Sequence, residues 1–184
     1  MLQGRDMGYL IYAIVAAVFA IRLLFLKVSI KNEKKIIADG GREYGKENSK
    51  RITILHILFY LFCLIEAIVR KTEFDKISLV GLLLLAFSIY MLWTVTRLLK
   101  DIWTVKLMLL KDHRYVDHWL FRVVKHPNYY LNIFPELLGL SLLCHAWLTA
   151  AVLSPLYISV IYIRIKEEEK LLRETVIPNG IREH

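Results

Sequence analysis

ISLVGLLLLAFSIYMLWTVT, residues 77–96, carries no charged side chain and decides the class of fold. A helix needs about 20 apolar residues to cross the hydrocarbon core of a bilayer, and this stretch has that length. Four further apolar runs occupy residues 8–26, 52–69, 129–143 and 147–163. The mean hydropathy of +0.45 is too high for an ordinary soluble domain. The sequence therefore predicts an all-α integral membrane protein with about five transmembrane helices.

The last two runs are short and are separated only by Cys144, His145 and Ala146. This spacing predicts a tight helical hairpin whose arms are tilted or do not fully span the bilayer. No Pro/Gly/Ser-rich linker interrupts the chain, and no internal repeat is visible. We therefore expect one membrane domain over residues 1–184. Residues 42–50, which follow Gly40 and Gly41, are expected to be helical and amphipathic.

Basic residues concentrate in two segments, 27–51 and 97–125, whereas the loop between the second and third runs is mixed in charge. Because positive charge is retained on the cytoplasmic side, this pattern predicts an external N-terminus and a cytoplasmic C-terminus in the bacterial cytoplasmic membrane. The net charge of +8 is then explained by topology and by contact with anionic lipids. The chain lacks a soluble basic module with interleaved aromatic residues, so no nucleic-acid partner is expected.

Several polar residues lie inside the apolar runs. Glu136 is in the fourth run, where an ionisable group is expected either to line a functional pocket or to pair with a buried base. His56 and Glu66 in the second run are expected to form hydrogen bonds between helices. Arg22 lies near the cytoplasmic end of the first run, where we expect it to snorkel to the interface. Cys63 and Cys144 lack the spacing of metal ligands, so reduced thiols and no metal site are expected.

The fourth run opens with His126-Pro127-Asn128-Tyr129. Pro127 restricts the preceding residue to an extended conformation and suits the first turn of a helix. A helix beginning there would direct free N–H groups and a partial positive charge at the cytoplasmic edge of the membrane. Such an arrangement is typical of a site for a charged ligand.

The fifth run ends with Arg164-Ile-Lys-Glu-Glu-Glu169, in which Arg164 and Glu168 are four residues apart and share one face of a helix. A surface ion pair is the most common outcome of this spacing. The predicted hairpin, however, brings the end of the fifth run next to the start of the fourth. The two polar segments together therefore predict a cytoplasmic site for a charged, water-soluble cofactor.

The segments His113-Arg-Tyr-Val116, Phe121, Lys125-His-Pro-Asn-Tyr129 and 164–172 resemble the isoprenylcysteine carboxyl methyltransferase family, in its bacterial branch. The family pattern is H-x-L-V, G-x-Y, R-H-P-x-Y and, after a helical hairpin, R-I-x-x-E-E-x-x-L. The chain reproduces this spacing within residues 103–172. The resemblance implies an integral membrane methyltransferase domain that uses S-adenosyl-L-methionine.

The resemblance also implies which residues form the site. Arg164 would face the substrate, and we place Arg164 and Glu136 in the catalytic set. The residues that would bind the cofactor are Lys106, His113, Arg114, Tyr115, Val116, Phe121, His126, Pro127, Asn128, Tyr129 and Glu168.

The chain departs from the family pattern at five positions and in its tail. Lys125 replaces an Arg, which keeps the charge but loses the planar fork of donors. Tyr115 occupies a position where the family pattern has Leu, and Phe121 a position where it has Tyr. Trp119 and Leu131 occupy positions where the pattern has glycine. The tail from residue 175 lacks the family's F-G-x-x-Y-x-x-Y segment. We expect the cofactor site to persist and the substrate pocket to differ.

These features predict an O-methyltransferase that acts on an anionic oxygen of a lipid-like substrate, either a prenylated cysteine carboxylate or an alkylpyrone enol. One alternative is phospholipid N-methylation, which requires a base, for which His126 and Glu136 are candidates. The other is a non-enzymatic membrane scaffold. The expected partners are the lipid-like substrate and membrane lipids, and the sequence leaves the oligomeric state open.

Overall fold

A computed structural model describes the backbone of residues 2–109, 114–116, 118–176 and 181–183, and the side chains of residues 8–109 and 118–174. Six α-helices follow one another along the described chain: α1 Leu2–Ala38, α2 Lys46–Arg70, α3 Lys76–Leu99, α4 Trp119–Val123, α5 Phe134–Cys144 and α6 Trp147–Leu171. A 3₁₀ turn, Lys100–Ile102, extends α3. A π-helical segment, Asn128–Ile133, leads directly into α5, and another, Leu172–Val176, follows α6.

Within the described residues, four helices are long and apolar enough to cross a membrane: Gly8–Ala38, Lys46–Arg70, Lys76–Ile102 and Trp147–Glu174. The all-α integral membrane class is thus confirmed, with helices making up 84% of the structure. The fourth run forms only the shorter helix from Asn128 to Cys144, roughly 25 Å long against a hydrocarbon core of about 30 Å. The fifth run was predicted to be short. It is longer in the structure because the charged residues 164–169 continue the helix.

The predicted turn between α5 and α6 is present at His145 and Ala146. His145 adopts the left-handed conformation (φ 51°) that commonly ends a helix, and its N–H donates to the carbonyl of Leu142. Although α5 and α6 touch, α5 packs most extensively on α3, and α6 on α2. The hairpin is therefore part of one bundle that includes α2 and α3.

Two short pairs of strands accompany the helices. β1 (Arg42–Tyr44) pairs antiparallel with β2 (Leu107–Leu109), and β3 (Arg114–Val116) pairs parallel with β4 (Ile181–Glu183). The expectation of a helix over 42–50 is wrong for its first part. Gly45 lies in the left-handed region (φ 58°), which separates β1 from α2. The β1–β2 pair joins the segment after α1 to the segment after α3.

Two glycines bring α3 and α5 into backbone contact. A Cβ atom on Gly81 would lie 2.6 Å from the carbonyl oxygen of Gly139 and would also meet the backbone of Leu143. A Cβ on Gly139 would lie 2.8 Å from the carbonyl oxygen of Gly81. Small residues at a helix interface in a membrane permit this close approach. It holds the polar residues at the start of the α5 helix against α3.

We expect Gly81→Ala to lower the thermal stability of the detergent-purified protein, because the new methyl group would force the backbones of α3 and α5 apart. Gly8→Ala in α1 is the matched control, since its nearest neighbour would be 3.4 Å away, an ordinary contact distance. The control should be neutral or stabilising, given that alanine favours a helix over glycine by about 1 kcal/mol. Equal melting temperatures for the two variants would contradict the proposed close packing.

Candidate functional site

A buried ion pair joins α1 to α5. Glu136 is fully buried, and Nε of Arg22 donates to its Oε1 at 2.6 Å while a terminal nitrogen of Arg22 contacts its Oε2. The hydroxyl of Tyr60 donates to Oε1 at 2.5 Å, and Nε2 of His56 lies 3.5 Å from the same oxygen. The expectation that Arg22 snorkels is wrong, because its guanidinium turns inward to this carboxylate. Of the two alternatives left open for Glu136, the structure shows the pairing with a buried base.

The polar network continues from this ion pair towards the start of the α5 helix. Arg22 donates to Oδ1 of Asn132 at 2.6 Å, and Ser88 of α3 donates to the same oxygen at 3.2 Å. The amide nitrogen of Asn132 then donates to Oδ1 of Asn128 at 2.9 Å. With its oxygen engaged, Asn128 keeps its own NH₂ group as a donor for other partners.

Two further predictions concerned polar residues of α2, and both are confirmed. Nδ1 of His56 lies 3.0 Å from the hydroxyl of Tyr157 on α6. The carboxylate of Glu66 accepts from the backbone N–H groups of Leu148 and Thr149 at 3.1 and 2.9 Å. Glu66 thereby satisfies donors at the N-terminus of α6, where a helix has no partners of its own. Both residues connect α2 to α6.

A cavity of about 350 Å³ lies at the end of the bundle opposite the α5–α6 turn. It is bounded by the 103–108 segment, α4, the start of the α5 helix and the end of α6. This volume lies within the range of roughly 300–1,000 Å³ found for small-molecule sites. The residues predicted for the site that line this cavity are Lys106, Phe121, His126, Pro127, Asn128, Tyr129, Arg164 and Glu168. The structure thus brings the two polar segments of the sequence together in one place.

His126 is the most unusual residue of the cavity. Its side chain is 2% exposed, and neither ring nitrogen makes a hydrogen bond with the described part of the chain. Nδ1 lies 3.4 Å from Glu168 and Nε2 lies 3.5 Å from Glu169, outside good hydrogen-bond geometry. Burial disfavours the charged imidazole, but the two carboxylates outweigh burial and raise the pKa of His126 above its ordinary value. A buried, unpartnered imidazole at a cavity wall is suited to bind a polar group of a ligand.

Arg164 and Glu168 both line the cavity, but they do not form the surface ion pair that their spacing commonly produces. Arg164 is 2% exposed, and it donates to the hydroxyl of Ser49 at 3.0 Å and to the carbonyl of Val105 at 3.2 Å. Glu168 instead accepts from the hydroxyl of Tyr129 at 2.8 Å. The guanidinium is therefore a buried cation that neutral acceptors hold in place, with the carboxylate of Glu167 3.9 Å from one of its terminal nitrogens.

Residues of α1 hold the wall of the cavity, and the sequence analysis did not identify them. The amide of Asn32 donates to the carbonyls of Lys100 and Trp103, and the hydroxyl of Ser29 accepts from the N–H of Val105. Glu33 lies 3.0 Å from Nζ of Lys106 and raises the pKa of that ammonium above its ordinary value. The sequence feature that could have identified them is the spacing of Ser29, Asn32 and Glu33. These residues stand at i, i+3 and i+4 near the end of an apolar helix and therefore share one face.

Some predicted site residues are placed elsewhere or lie outside the described part. His113 lies outside the described residues, and Arg114, Tyr115 and Val116 are described only as the backbone of β3. Glu136 is absent from the described lining of the cavity and lies within the ion-pair network instead. Arg22 and Tyr60 already bind the oxygens of Glu136, and its membership of the catalytic set stays a prediction.

The fold defines an integral membrane protein with a cavity lined by polar residues at one end of its helix bundle. The model of the isoprenylcysteine carboxyl methyltransferase (ICMT) family matches residues 79–174. The chain belongs to this family and is a membrane methyltransferase. The matched region includes α3 from Leu79 onward, the segments that line the cavity and all of α6.

Two bacterial relatives cover most of the chain. An uncharacterized protein of Haemophilus influenzae is 46% identical over 157 residues, which span 85% of this chain and 91% of the relative. The uncharacterized protein YpbQ of Bacillus subtilis is 26% identical over 164 residues, or 89% of this chain and 96% of the relative. No solved structure gives a significant match. The likeness to these relatives covers more of the chain than the region that the family model matches.

The raised pKa of His126 gives the fold a defined pH dependence. The folded state holds the proton on His126 more tightly than the unfolded state does. The protonated imidazole therefore contributes fully to the stability of the fold below the ordinary imidazole pKa, and this contribution is lost as the pH rises through the pKa of His126 in the folded state. We expect the difference in melting temperature between the wild type and His126→Gln to be largest near pH 5 to 6 and to shrink towards about pH 8. A difference that grows with pH would contradict the pairing with Glu168 and Glu169.

Proposed function

We propose that the chain is a membrane-embedded, S-adenosylmethionine-dependent O-methyltransferase that acts on an anionic oxygen of a lipid-like substrate. The cavity would open to the cytoplasm, as the distribution of basic residues predicts. The observation that carries the proposal is the meeting of His126, Glu168 and the buried Arg164 around one cavity of suitable volume.

The residues of the cavity fit the polar groups of this cofactor. S-Adenosylmethionine carries a carboxylate, an ammonium and a cationic sulfur, so a suitable site needs both donors and carboxylates. The unpartnered nitrogens of His126 and the free NH₂ of Asn128 can donate to the carboxylate. Glu168 and Glu169 supply negative charge for the ammonium and the sulfonium. Trp103 and Leu107 add apolar surface to the same wall.

When bound, the cofactor supplies an electrophilic methyl group, which forms a bond to the acceptor oxygen as the carbon–sulfur bond breaks and its electron pair stays on sulfur. Arg164 is suited to orient that oxygen, because a buried cation attracts an anion more strongly than an exposed one does. Ser49 and Val105 fix the guanidinium, so little reorganisation is needed when an anion arrives.

The described geometry favours methyl transfer to oxygen over transfer to nitrogen. An anionic oxygen needs no base, whereas an ammonium must first lose a proton. Of the two candidate bases, Glu136 is bound by Arg22 and does not line the cavity. The raised pKa of His126 favours the protonated imidazole, which is a donor and a poor base. A purely structural scaffold would account for the pairing of His126 with Glu168 and Glu169, but it gives no reason for both ring nitrogens to lack a hydrogen bond within the described chain.

Calorimetric titration of S-adenosylhomocysteine into the detergent-purified protein tests the proposal. We expect saturable binding by the wild type and weaker binding by Glu168→Gln, which removes the charge and keeps the shape. The loss should be at least about tenfold, as for a charge-assisted hydrogen bond worth roughly 1.5–3 kcal/mol.

Glu73→Gln is the matched control, because Glu73 is exposed in the loop between α2 and α3 and does not line the cavity. It should bind like the wild type. Absence of binding to folded wild-type protein would overturn the methyl-donor assignment. Equal binding by the wild type and Glu168→Gln would place the cofactor elsewhere in the fold.

A further inference from the structure

A second cavity of about 320 Å³ adjoins the first and is lined by the start of α2. The two cavities share Val105 and Lys106. Arg164 connects them, since it lines the first cavity and donates to Ser49, which lines the second. A ligand in the second cavity would therefore lie beside the guanidinium that faces the first. We refer to this second space as the α2 cavity.

The α2 cavity carries unpaired positive charge. Lys46 and Lys50 lie one turn apart on α2, and neither has a carboxylate partner among the described side chains. The single described carboxylate of the lining, Glu43, lies 3.6 Å from Nζ of Lys106, which also lines the cavity. Lys106 is also 3.0 Å from Glu33, which does not line this cavity, so the lining itself carries three lysines against one described carboxylate and has a net positive charge. The cavity therefore favours an anion.

The same face of α2 continues as an apolar stripe. Ile54, Ile57 and Leu61 follow Lys50 at helical spacing and are 46%, 51% and 48% exposed. On a helix that is apolar enough to span the membrane, such exposed residues face lipid chains. Ile54 also lines the α2 cavity, so the cavity is open to the apolar stripe. A molecule on this face would meet cations at one end and a hydrocarbon surface along the rest.

We propose that the α2 cavity binds the anionic head of the methyl acceptor, an amphiphile with a carboxylate or enolate head and an extended apolar chain. Lys46 and Lys50 attract the head, and the stripe Ile54–Ile57–Leu61 holds the chain at the lipid boundary. The head then lies beside Ser49, whose hydroxyl accepts from Arg164, and beside Val105, which lines both cavities. This inference rests on the proposed methyltransferase function and assigns its acceptor site to α2, outside the region that the family model matches.

Binding of paired anionic and neutral amphiphiles tests this site directly. The probes are N-acetyl-S-farnesylcysteine and its methyl ester, and a long-chain 4-hydroxy-2-pyrone and its methyl ether. Each is titrated into detergent-purified protein saturated with S-adenosylhomocysteine. We expect the wild type to bind at least one anionic probe roughly tenfold or more tightly than its neutral partner, as two lysines near a membrane surface would give.

Lys46→Gln/Lys50→Gln should lose this preference for the anion. Lys31→Gln/Lys34→Gln is the matched control, because it removes the same charge from exposed positions of α1 that line neither cavity. The control should keep the preference. The assignment is overturned if the α2 variant binds the anionic probe as the wild type does, or if folded wild-type protein binds neither anion.

Competition with phosphatidylglycerol separates the acceptor from bulk anionic lipid. The account expects phosphatidylglycerol to displace the bound probe only at large excess. Displacement at equal concentration would overturn the acceptor assignment and make the cavity a general site for anionic lipid. Failure of the α2 prediction is distinguishable from failure of the proposed function, because S-adenosylhomocysteine binding is measured separately and Lys46 and Lys50 do not line the cofactor cavity.

Discussion

The ion pair between Arg22 and Glu136 is the constraint on which the rest of the bundle depends. Removing two charges from water is costly, and such a pair persists only when both partners are present and further hydrogen bonds satisfy them. Tyr60 and Asn132 supply those bonds, which tie α1, α2 and the α5 helix together. Asn132 in turn donates a hydrogen bond to Asn128, so the ion pair is connected to the cavity wall. A structural charge inside the membrane thereby helps to shape a site at the membrane edge.

Much of the architecture could be predicted because its causes are local. Length and hydropathy identify the spanning helices, since a membrane segment must satisfy its own backbone hydrogen bonds. The start of the α5 helix followed from Pro127, and the meeting of His126 with Glu168 followed from the short connection at His145. The family resemblance named eight of the residues that line the cavity. The family itself is shown by the match over residues 79–174. Their roles in binding remain predictions.

The parts that could not be predicted depend on partners far apart in sequence. Arg22 and Glu136 are 114 residues apart, so local spacing could not distinguish an inward-facing arginine from a snorkelling one. The hydrogen bonds from Asn32 to the cavity segment likewise join residues that are far apart in sequence. Spacing also suggested that Arg164 pairs with Glu168, whereas tertiary packing directs its donors to Ser49 and Val105. The short strands β1 and β2 likewise arise from pairing between distant segments.

Transfer of a tritiated methyl group from S-adenosylmethionine to lipids, in membranes that contain this chain, tests the central claim most directly. The account predicts label in the organic extract on oxygen, released as methanol by base from a methyl ester or retained as an enol ether. Arg164→Lys keeps the charge but loses the fork of donors, so it should lower transfer by roughly tenfold or more while still binding S-adenosylhomocysteine. Absence of label, or label on the nitrogen of a phospholipid headgroup, would contradict the account.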